Sequence, residues 1–517
     1  MSIKIIYGRA GSGKSQQCLE EIKLNYLAGN KKIILIVPEQ FTFEAERALS
    51  AKLEQGGIIG AEVLSFRRLA HRVMNEVGGV TAPLIHPAGK CMIIYRILDK
   101  LKDELSIFSK SADSKGFVNT ISTLITEMKR YEVNLQRLEK TIEQLEDAYL
   151  KQKLTEISTI YQEFEKMLGE RFRDADDELT QLSKKIGESE QCRGSSIWID
   201  GFSGFTPQEY SVIEQLLLVA NDVTITLCTD VLVEEDGIQD TDVFSSVKYS
   251  YKKLMRIANS VGSVIKTPVN ANSFNNGKLF RMKDSDELVH LESNFFSYPN
   301  KSFSAKTEDI ILFEAGNIYT EVEQCAKYII NQCRDNGRRY RDISVVTRNL
   351  EGYKNIVEAI FSEYEIPFFI DSKSDITNHP LVRLVLSMLD IFNNNWTYED
   401  VFSYLKAGLL SIPSSDIDLI ENYVLACGIR GSRWYQAEDW KMSPELFSDK
   451  NEGQDEEFLL RINEIRAAII EPLVEFRGRT KGRNTAAAFC EAIYVFLEKT
   501  GVFIKITQLV DYFNENV

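Results

Sequence analysis

Eight residues near the start of the chain, Gly8-Arg9-Ala10-Gly11-Ser12-Gly13-Lys14-Ser15, constrain its fold more than any other stretch. They fit G-x-x-x-x-G-K-[ST], a pattern whose meaning depends on what flanks it. Before it runs an apolar, strand-like segment, Ile3-Lys4-Ile5-Ile6-Tyr7. After it, Cys18, Leu19, Ile22 and Tyr26 recur near helical spacing. A strand feeding a helix through glycines makes a phosphate cradle. The glycines let backbone N–H groups curl around phosphate oxygens, and the helix N-terminus adds partial positive charge. Lys14 is placed to reach the β- and γ-phosphates of ATP, and Ser15 to ligate Mg²⁺.

The second half of such a site is a buried strand ending in an acid that holds the metal. Ile197-Trp198-Ile199-Asp200 supplies it, with Asp200 at the carboxyl end, where ligands bind in parallel sheets. A hydrolysing site also needs a carboxylate to orient the attacking water. Gly201 stands where that residue is most often found. Glu209 falls eight residues further on, after Pro207 at the start of a helix, with no reason to reach a γ-phosphate. The site reads as built to bind and poorly equipped to cleave.

At 517 residues the chain is too long for one compact domain, and roughly two to four are expected. Strand-like Ile3–Tyr7, Ile33–Val37 and Glu62–Ser65 alternate with helices, the rhythm of a parallel sheet. From 81 the pattern turns helical, with Val118, Ile121, Leu124, Ile125 and Met128 on one face. A second run carries Leu154, Ile157, Ile160, Tyr161, Phe164 and Leu168. Strands return at Ser196–Ile199 and Val223–Cys228, so one sheet domain (1–80 and 195–265) is interrupted by a helical insertion (81–194). Residues 266–309, with Asn270, Asn272, Asn275, Asn276 and Gly277, read as an irregular connection. Strand-like Ile310–Glu314, a helix over Thr320–Asp335 and strand-like Ile343–Thr347 then open a second α/β unit (310–375). A second helical block (376–517) is broken by an acidic loop near Asp449–Glu457.

Composition narrows the function. A net charge of −15 argues against a broad nucleic-acid-binding surface but leaves room for a local basic track. Three clusters can contribute: Arg67, Arg68 and Arg72; Arg334, Arg338, Arg339 and Arg341; Arg477, Arg479, Lys481 and Arg483. Each alone reads first as a solvated face. No apolar run is long enough to span a membrane, and the N-terminus enters a strand without a signal peptide. The eight scattered cysteines lack C-x-x-C spacing and read as reduced thiols of a cytoplasmic protein; the four isolated histidines give no zinc-type spacing.

Several longer runs carry a family resemblance. Val37-Pro38-Glu39-Gln40-Phe41-Thr42-Phe43-Glu44-Ala45-Glu46-Arg47 resembles the AddB subunit of bacterial AddAB helicase–nucleases. So do Leu64-Ser65-Phe66-Arg67-Arg68-Leu69-Ala70, Trp198-Ile199-Asp200-Gly201-Phe202 and Phe205-Thr206-Pro207-Gln208-Glu209. Asp371-Ser372-Lys373 and His379-Pro380-Leu381-Val382 fit as well. The resemblance covers nearly the whole chain, and behind it lies a wider similarity to superfamily 1 DNA helicases of the UvrD type. It implies a RecA-like α/β P-loop domain with a helical insertion, followed by the start of a second RecA-like domain with its own, incomplete insertion. It also implies roles. Val37–Arg47 and Ser65–Arg72 fall on motifs that contact single-stranded DNA, with Gln40, Phe41, Phe43, Phe66, Arg67 and Arg68 as the candidates. Asp200–Tyr210 overlays the metal-binding motif, and Arg348 falls where an arginine is offered to the γ-phosphate.

Departures from the pattern matter as much. Active motors of this kind place Glu directly after Asp, where this chain has Gly201. Only seven residues precede Gly8, too few for the adenine-recognising Gln segment, and the stretch near Cys228-Thr229-Asp230 lacks the expected Gln. The chain stops at Val517, inside what resembles the second insertion, so the motifs that complete the second motor domain and its arginine finger are expected to be absent. An arginine finger is worth ~10³–10⁵ in rate. The family is about twice this long and carries in its C-terminal half a nuclease domain with a 4Fe–4S cluster, whose ligands are not expected here. The resemblance implies a heterodimer with AddA that unwinds and degrades duplex DNA from double-strand ends. Within it the AddB helicase-like part guides the 3′-ended strand and reads a recombination hotspot. Three function classes stay open: an accessory ATP-binding, DNA-tracking subunit; a complete motor ATPase; and a scaffold for AddA whose P-loop is vestigial.

Overall fold

The computed structural model describes residues 1–53, 60–78, 82–112, 114–169, 171–233, 237–273, 279–371, 376–442, 452–482 and 484–516. Residues 275–277, 372–373, 449–451 and 483, each singled out above, lie outside them. The chain divides into two units, Met1–Phe313 and Glu314–Val517.

The first unit opens in strict alternation: β1 (Ser2–Gly8), α1 (Lys14–Leu27), β2 (Ile33–Ile36), α2 (Thr42–Leu53), β3 (Ala61–Leu64) and α3 (Phe66–Val77). Five helices follow: α4 (Pro87–Leu101), α5 (Lys115–Arg130), α6 (Leu135–Gln144), α7 (Ala148–Leu168) and α8 (Glu178–Lys185). The alternation resumes with β4 (Ser196–Ile199), α9 (Pro207–Val219), β5 (Asp222–Cys228), α10 (Ser245–Ser260), β6 (Val264–Ile265), β7 (Val269–Asn270) and α11 (Asp286–Asn294).

The sheet runs β3-β2-β4-β5-β1-β6, with β7 also beside β1, and every pairing is parallel. This is an α/β fold of the RecA-like kind. Side chains on a strand alternate between faces, so a sheet covered on both sides needs apolar residues at every position. β2 shows it. Ile34 and Ile36 join the core with α3, α9 and α10, while Ile33 and Leu35 face the core with α1 and α2. Because all strands are parallel and in register (Gly8 with Cys228, Ile199 with Ile225, Ile36 with Ile199 and Leu64), their carboxyl ends share one edge.

Helices α4 to α7 have a core of their own, with Ile94, Leu98, Ile121, Ile125, Ile160 and Phe164 at its centre. That core also buries two lysines. Lys90 Nζ lies 3.0 Å from Asp174 and 2.8 Å from Asp176, and Lys129 Nζ lies 2.7 Å from Asp177 and 2.9 Å from Glu165. Both ammonium groups approach the Phe164 ring, at 5.6 and 5.5 Å from its centre.

Two sequence expectations need correction. Residues 266–309 are not merely irregular: β7 extends the sheet, Ala271 is buried in the core beside it, and Ser285 caps α11. The second correction concerns Ile310–Glu314 and Ile343–Thr347. Neither is a strand among the described residues, and most of their side chains are exposed. An apolar extended run becomes a strand only when a neighbour accepts its backbone hydrogen bonds. In this second unit α12 (Ile318–Arg334) and α13 (Leu350–Glu363) pack on each other around Val322, Ala326, Ile329 and Phe361. The remaining helices are α14 (Pro380–Asn393), α15 (Tyr398–Leu405), α16 (Ser414–Cys427), α17 (Glu452–Thr480), α18 (Ala486–Lys499) and α19 (Val502–Asn516). Their core is built around Trp396, Tyr404, Tyr423 and Trp434. Among the described residues no helix is long and apolar enough to cross a membrane.

Candidate functional site

The shared carboxyl edge of the sheet brings together segments that lie far apart in sequence. Gly8–Ser15 leave β1, Asp200 and Gly201 leave β4, Pro38–Phe43 leave β2 and Ser65–Arg68 leave β3. The first two lie toward one end of that edge, and the last two continue it.

At the corner the loop makes the turn its glycines permit. Gly11 has φ +83°, a left-handed conformation that side chains with a Cβ rarely adopt, and a Cβ there would sit 3.0 Å from that of Arg281. Gly13 is the residue before α1, so the first amides of α1 are left to point at a ligand. Lys14 bends back, its Nζ donating to the Gly8 carbonyl at 2.7 Å and the Arg9 carbonyl at 2.9 Å. Burial lowers its pKa from the ordinary lysine value; the Cys228 thiol and Asp200 carboxylate oppose that shift, and Arg281 adds to it. The Ser12 hydroxyl is buried with no partner. A bent-back lysine and an orphaned buried hydroxyl both leave polar capacity that phosphate oxygens fit. Ala10 and Ser15 are exposed at the rim.

Asp200 accepts a hydrogen bond from the Thr226 hydroxyl at 2.5 Å, while its own N–H donates to the Ile36 carbonyl at 2.9 Å. Ser15 and Asp200 suit Mg²⁺, which takes one or two protein oxygens and draws its other ligands from phosphates and water. The next residue explains the missing carboxylate. Gly201 has φ +83°, and a Cβ there would meet Pro38 at 3.4 Å. Glu209 is engaged elsewhere. Its carboxylate accepts from the Thr206 N–H at 2.7 Å, closing a capping box at the start of α9.

Sequence reasoning missed four residues at the corner. The Arg9 N–H donates to Asn272 Oδ1 at 2.7 Å, and its guanidinium pairs with Glu292 at 3.1 Å. The Arg281 N–H donates to the Gly11 carbonyl at 3.0 Å, and Phe280 lies beside Gly13. All four come from the stretch read as a connection. The available signal was Ser285 before Asp286 and Glu287, a cap with two acids in the first helical turn. Within the first unit, then, Arg281 joins Arg9 at the loop. Arg348 belongs to the second unit, exposed on the turn before α13.

Along the rest of the edge, Gln40, Phe41, Phe43, Arg67 and Arg68 are exposed, Phe43 at 74%. Phe43 and Arg68 line a common cavity of 560 Å³ with Arg47. Phe66 differs. It is 4% exposed, with its ring 5.4 Å from Phe202 and 6.5 Å from Phe205, so it packs in the core and is no open stacking platform. Arg67 lines a neighbouring cavity of 290 Å³ with Pro38, Phe66, Arg130, Phe202 and Gln208. Arg68 pairs with Glu46 at 3.2 Å across an exposed surface. All eight cysteines are free thiols. Among the described residues no group of three or more His, Cys, Asp or Glu side chains is arranged for a metal.

Comparison with known proteins adds an independent line. Residues 5–292 match the family described as ADDB, N-terminal. The chain is 55% identical to an ATP-dependent helicase/deoxyribonuclease subunit of Ruminiclostridium cellulolyticum, over all of this chain and 45% of that protein. It is 53% identical to the protein of that name from Acetivibrio thermocellus, with the same coverage of both chains. Its identity to the Clostridium tetani protein of that name is 45%, again over all of this chain and 45% of the relative. The chain thus spans under half the length of these relatives.

Proposed function

The chain belongs to the AddB family, matching its N-terminal part, and from that premise we propose that it is the ATP-binding, helicase-like part of a heterodimeric helicase–nuclease. Its partner is an AddA motor subunit, its substrate the ends of double-stranded DNA, and its task the processing of breaks for recombinational repair in the cytoplasm. What supports this reading is that the loop carrying Lys14 and Ser15 and the turn carrying Asp200 leave the same edge of a parallel sheet, with Asp200 close enough to act on the Lys14 charge, and that a left-handed glycine follows Asp200 where motors carry a glutamate. ATP would take the loop amides and Lys14; Mg²⁺ would take Ser15 and Asp200. With no carboxylate at position 201 to orient water, the site binds nucleotide and hydrolyses it weakly or not at all. Phe280 and Arg281 stand close enough to the loop to serve the same ligand.

In this reading the edge continuing from the corner guides the 3′-ended single strand and reads the hotspot. Gln40, Phe41 and Phe43 offer polar and stacking contacts and Arg67 and Arg68 offer phosphate contacts, with Phe66 holding them from behind. Stacking contributes ~1–3 kcal/mol per base. A second reading, a scaffold for AddA with a vestigial P-loop, draws support from the bent-back Lys14 and the Arg9–Glu292 pair, which close the loop on itself.

The test is binding of a fluorescent ATP analogue with Mg²⁺ to the chain and to Lys14→Ala, alongside phosphate release with and without single-stranded DNA. Binding that is lost in the variant, with negligible release, is the expected result. DNA-stimulated release would establish a motor, and absence of binding would establish the scaffold.

A further inference from the structure

Asn272 stands two residues beyond β7, half-buried, and its carboxamide joins the exits of two other strands. Its Oδ1 accepts from the Arg9 N–H at 2.7 Å, at the start of the phosphate loop. Its Nδ2 donates to the Asp230 carbonyl at 3.0 Å and the Thr229 carbonyl at 3.4 Å, directly after β5. The Asn272 N–H in turn donates to Asn270 Oδ1 at 2.9 Å, which fixes the turn that presents the side chain. Only a carboxamide puts an acceptor and two donors on one short planar group. An aspartate lacks the donors, and an apolar residue lacks both.

The backbone of Arg9 is therefore held from two sides. Its carbonyl accepts from Lys14 Nζ at 2.9 Å, and its N–H is spent on Asn272. The two holds differ in what a ligand does to them. When Lys14 extends to the β- and γ-phosphates it gives up its bent-back pose, and Arg9 loses that hold. The Arg9 guanidinium keeps its ion pair with Glu292, but solvent reaches both groups and weakens it. The bond to Asn272 starts from the sheet and survives the exchange. We propose that Asn272 is a positioning residue of the nucleotide site, which keeps the start of the phosphate loop in place while Lys14 is engaged with the ligand. It acts through Arg9, and its role rests on the nucleotide-binding reading above.

The experiment uses the full chain and has two arms. In the first, affinity for a fluorescent ATP analogue with Mg²⁺ is measured from pH 8 to pH 5 for Asn272→Asp and for the parent. The aspartate keeps the acceptor but turns its other oxygen onto two carbonyls, which favours the protonated acid and raises its pKa above the ordinary ~3.9. The charged groups beside it are Arg9, which opposes that shift, and Asp230, which is paired with Lys248 at 2.9 Å. Affinity should be about tenfold below the parent at pH 8 and approach it toward pH 5, where the carboxylic O–H replaces one lost donor. A ratio of variant to parent that stays constant with pH overturns the proposal.

In the second arm, amide hydrogen exchange of the loop is followed without nucleotide. Asn272→Ala should speed exchange more in a Lys14→Ala background than in the parent, because there Arg9 has already lost the lysine. Equal acceleration in the two backgrounds overturns the proposal. This arm needs no ligand. If the parent chain does not bind the analogue, the nucleotide-binding reading falls, while exchange still decides whether Asn272 holds the loop. Should Asn272→Ala unfold, as circular dichroism would reveal, Asn272→Ser takes its place, polar but too short to span the gap.

Discussion

Two apolar runs in this chain read almost alike. Ile197-Trp198-Ile199 ends in Asp200, and Ile343-Ser344-Val345-Val346-Thr347 ends in Arg348. The first is β4, flanked by β2 and β5 and buried on both faces; Ile199 is 0% exposed. The second pairs with no strand among the described residues; Ile343 packs against the core of α12 and α13, but Val346 is 91% exposed. The residues are equally suited to a strand. What differs is the company: β4 has parallel partners on both sides to take its N–H and C=O groups, while the later run has helices before and after it and no ladder. Strand propensity is therefore a fit to neighbours more than a property of the run itself.

The sharpest way to break that comparison is to place the same charge in both runs. Ile199→Asp buries a carboxylate among apolar neighbours and should cost about 4 kcal/mol or more, enough to unfold the first unit. Val346→Asp should stay within about 0.5 kcal/mol, both read by urea unfolding. An equal loss in the two variants would mean that the later run has a partner after all.

Charges repeat the contrast. Lys129→Met leaves Asp174, Asp177 and Glu165 without their shared cation in a buried site and should cost about 3–5 kcal/mol. Arg334→Met removes an exposed pair with neighbouring Asp335 in the second unit and should leave the unfolding midpoint where it was.

A smaller effect tests the turn after β4. Gly201→Ala forces a Cβ into a left-handed conformation beside Pro38 and should cost about 1–2 kcal/mol by thermal unfolding. Gly201→Glu should carry the same penalty and bring no gain in phosphate release.

The smallest effect is in pH. Burial pushes the Asp176 carboxyl up, yet hydrogen bonds from Lys90 and Thr126 outweigh it and hold the pKa below its ordinary value. A carboxyl lowered by folding contributes stability above its unfolded pKa and loses it as pH falls through the folded one, so the loss sets in below about pH 4. Lys129 runs the other way. Burial lowers its pKa, but Asp177, Asp174 and Glu165 hold it above the ordinary value, so its contribution is complete at neutral pH and fades only in strong alkali. Asp176→Asn should flatten the acid limb of an unfolding-midpoint profile and leave the neutral plateau in place.

Much of this was legible because it is local. The glycines before Lys14, the β1–α1 alternation, and Asp200 closing an apolar run each follow from a few adjacent residues. Phe66 was not. Its neighbours Phe202 and Phe205 arrive from the far side of the helical insertion, so nothing near it in sequence told a packed ring from an exposed one. Arg281 was hidden for the same reason. It reaches the loop through a backbone hydrogen bond to Gly11, across some 270 residues of intervening chain. The unpaired runs Ile310–Glu314 and Ile343–Thr347 mark the opposite failure, in which a sound local pattern lacks the distant partner that would make it a strand.

The turn at Gly201 also bears on how such a chain can change over time. The left-handed backbone here strains any residue with a Cβ, although Pro38 leaves room for one at ordinary contact distance. A carboxylate gained at this position by one substitution would therefore come with backbone strain, and relieving it would take a second change in the turn.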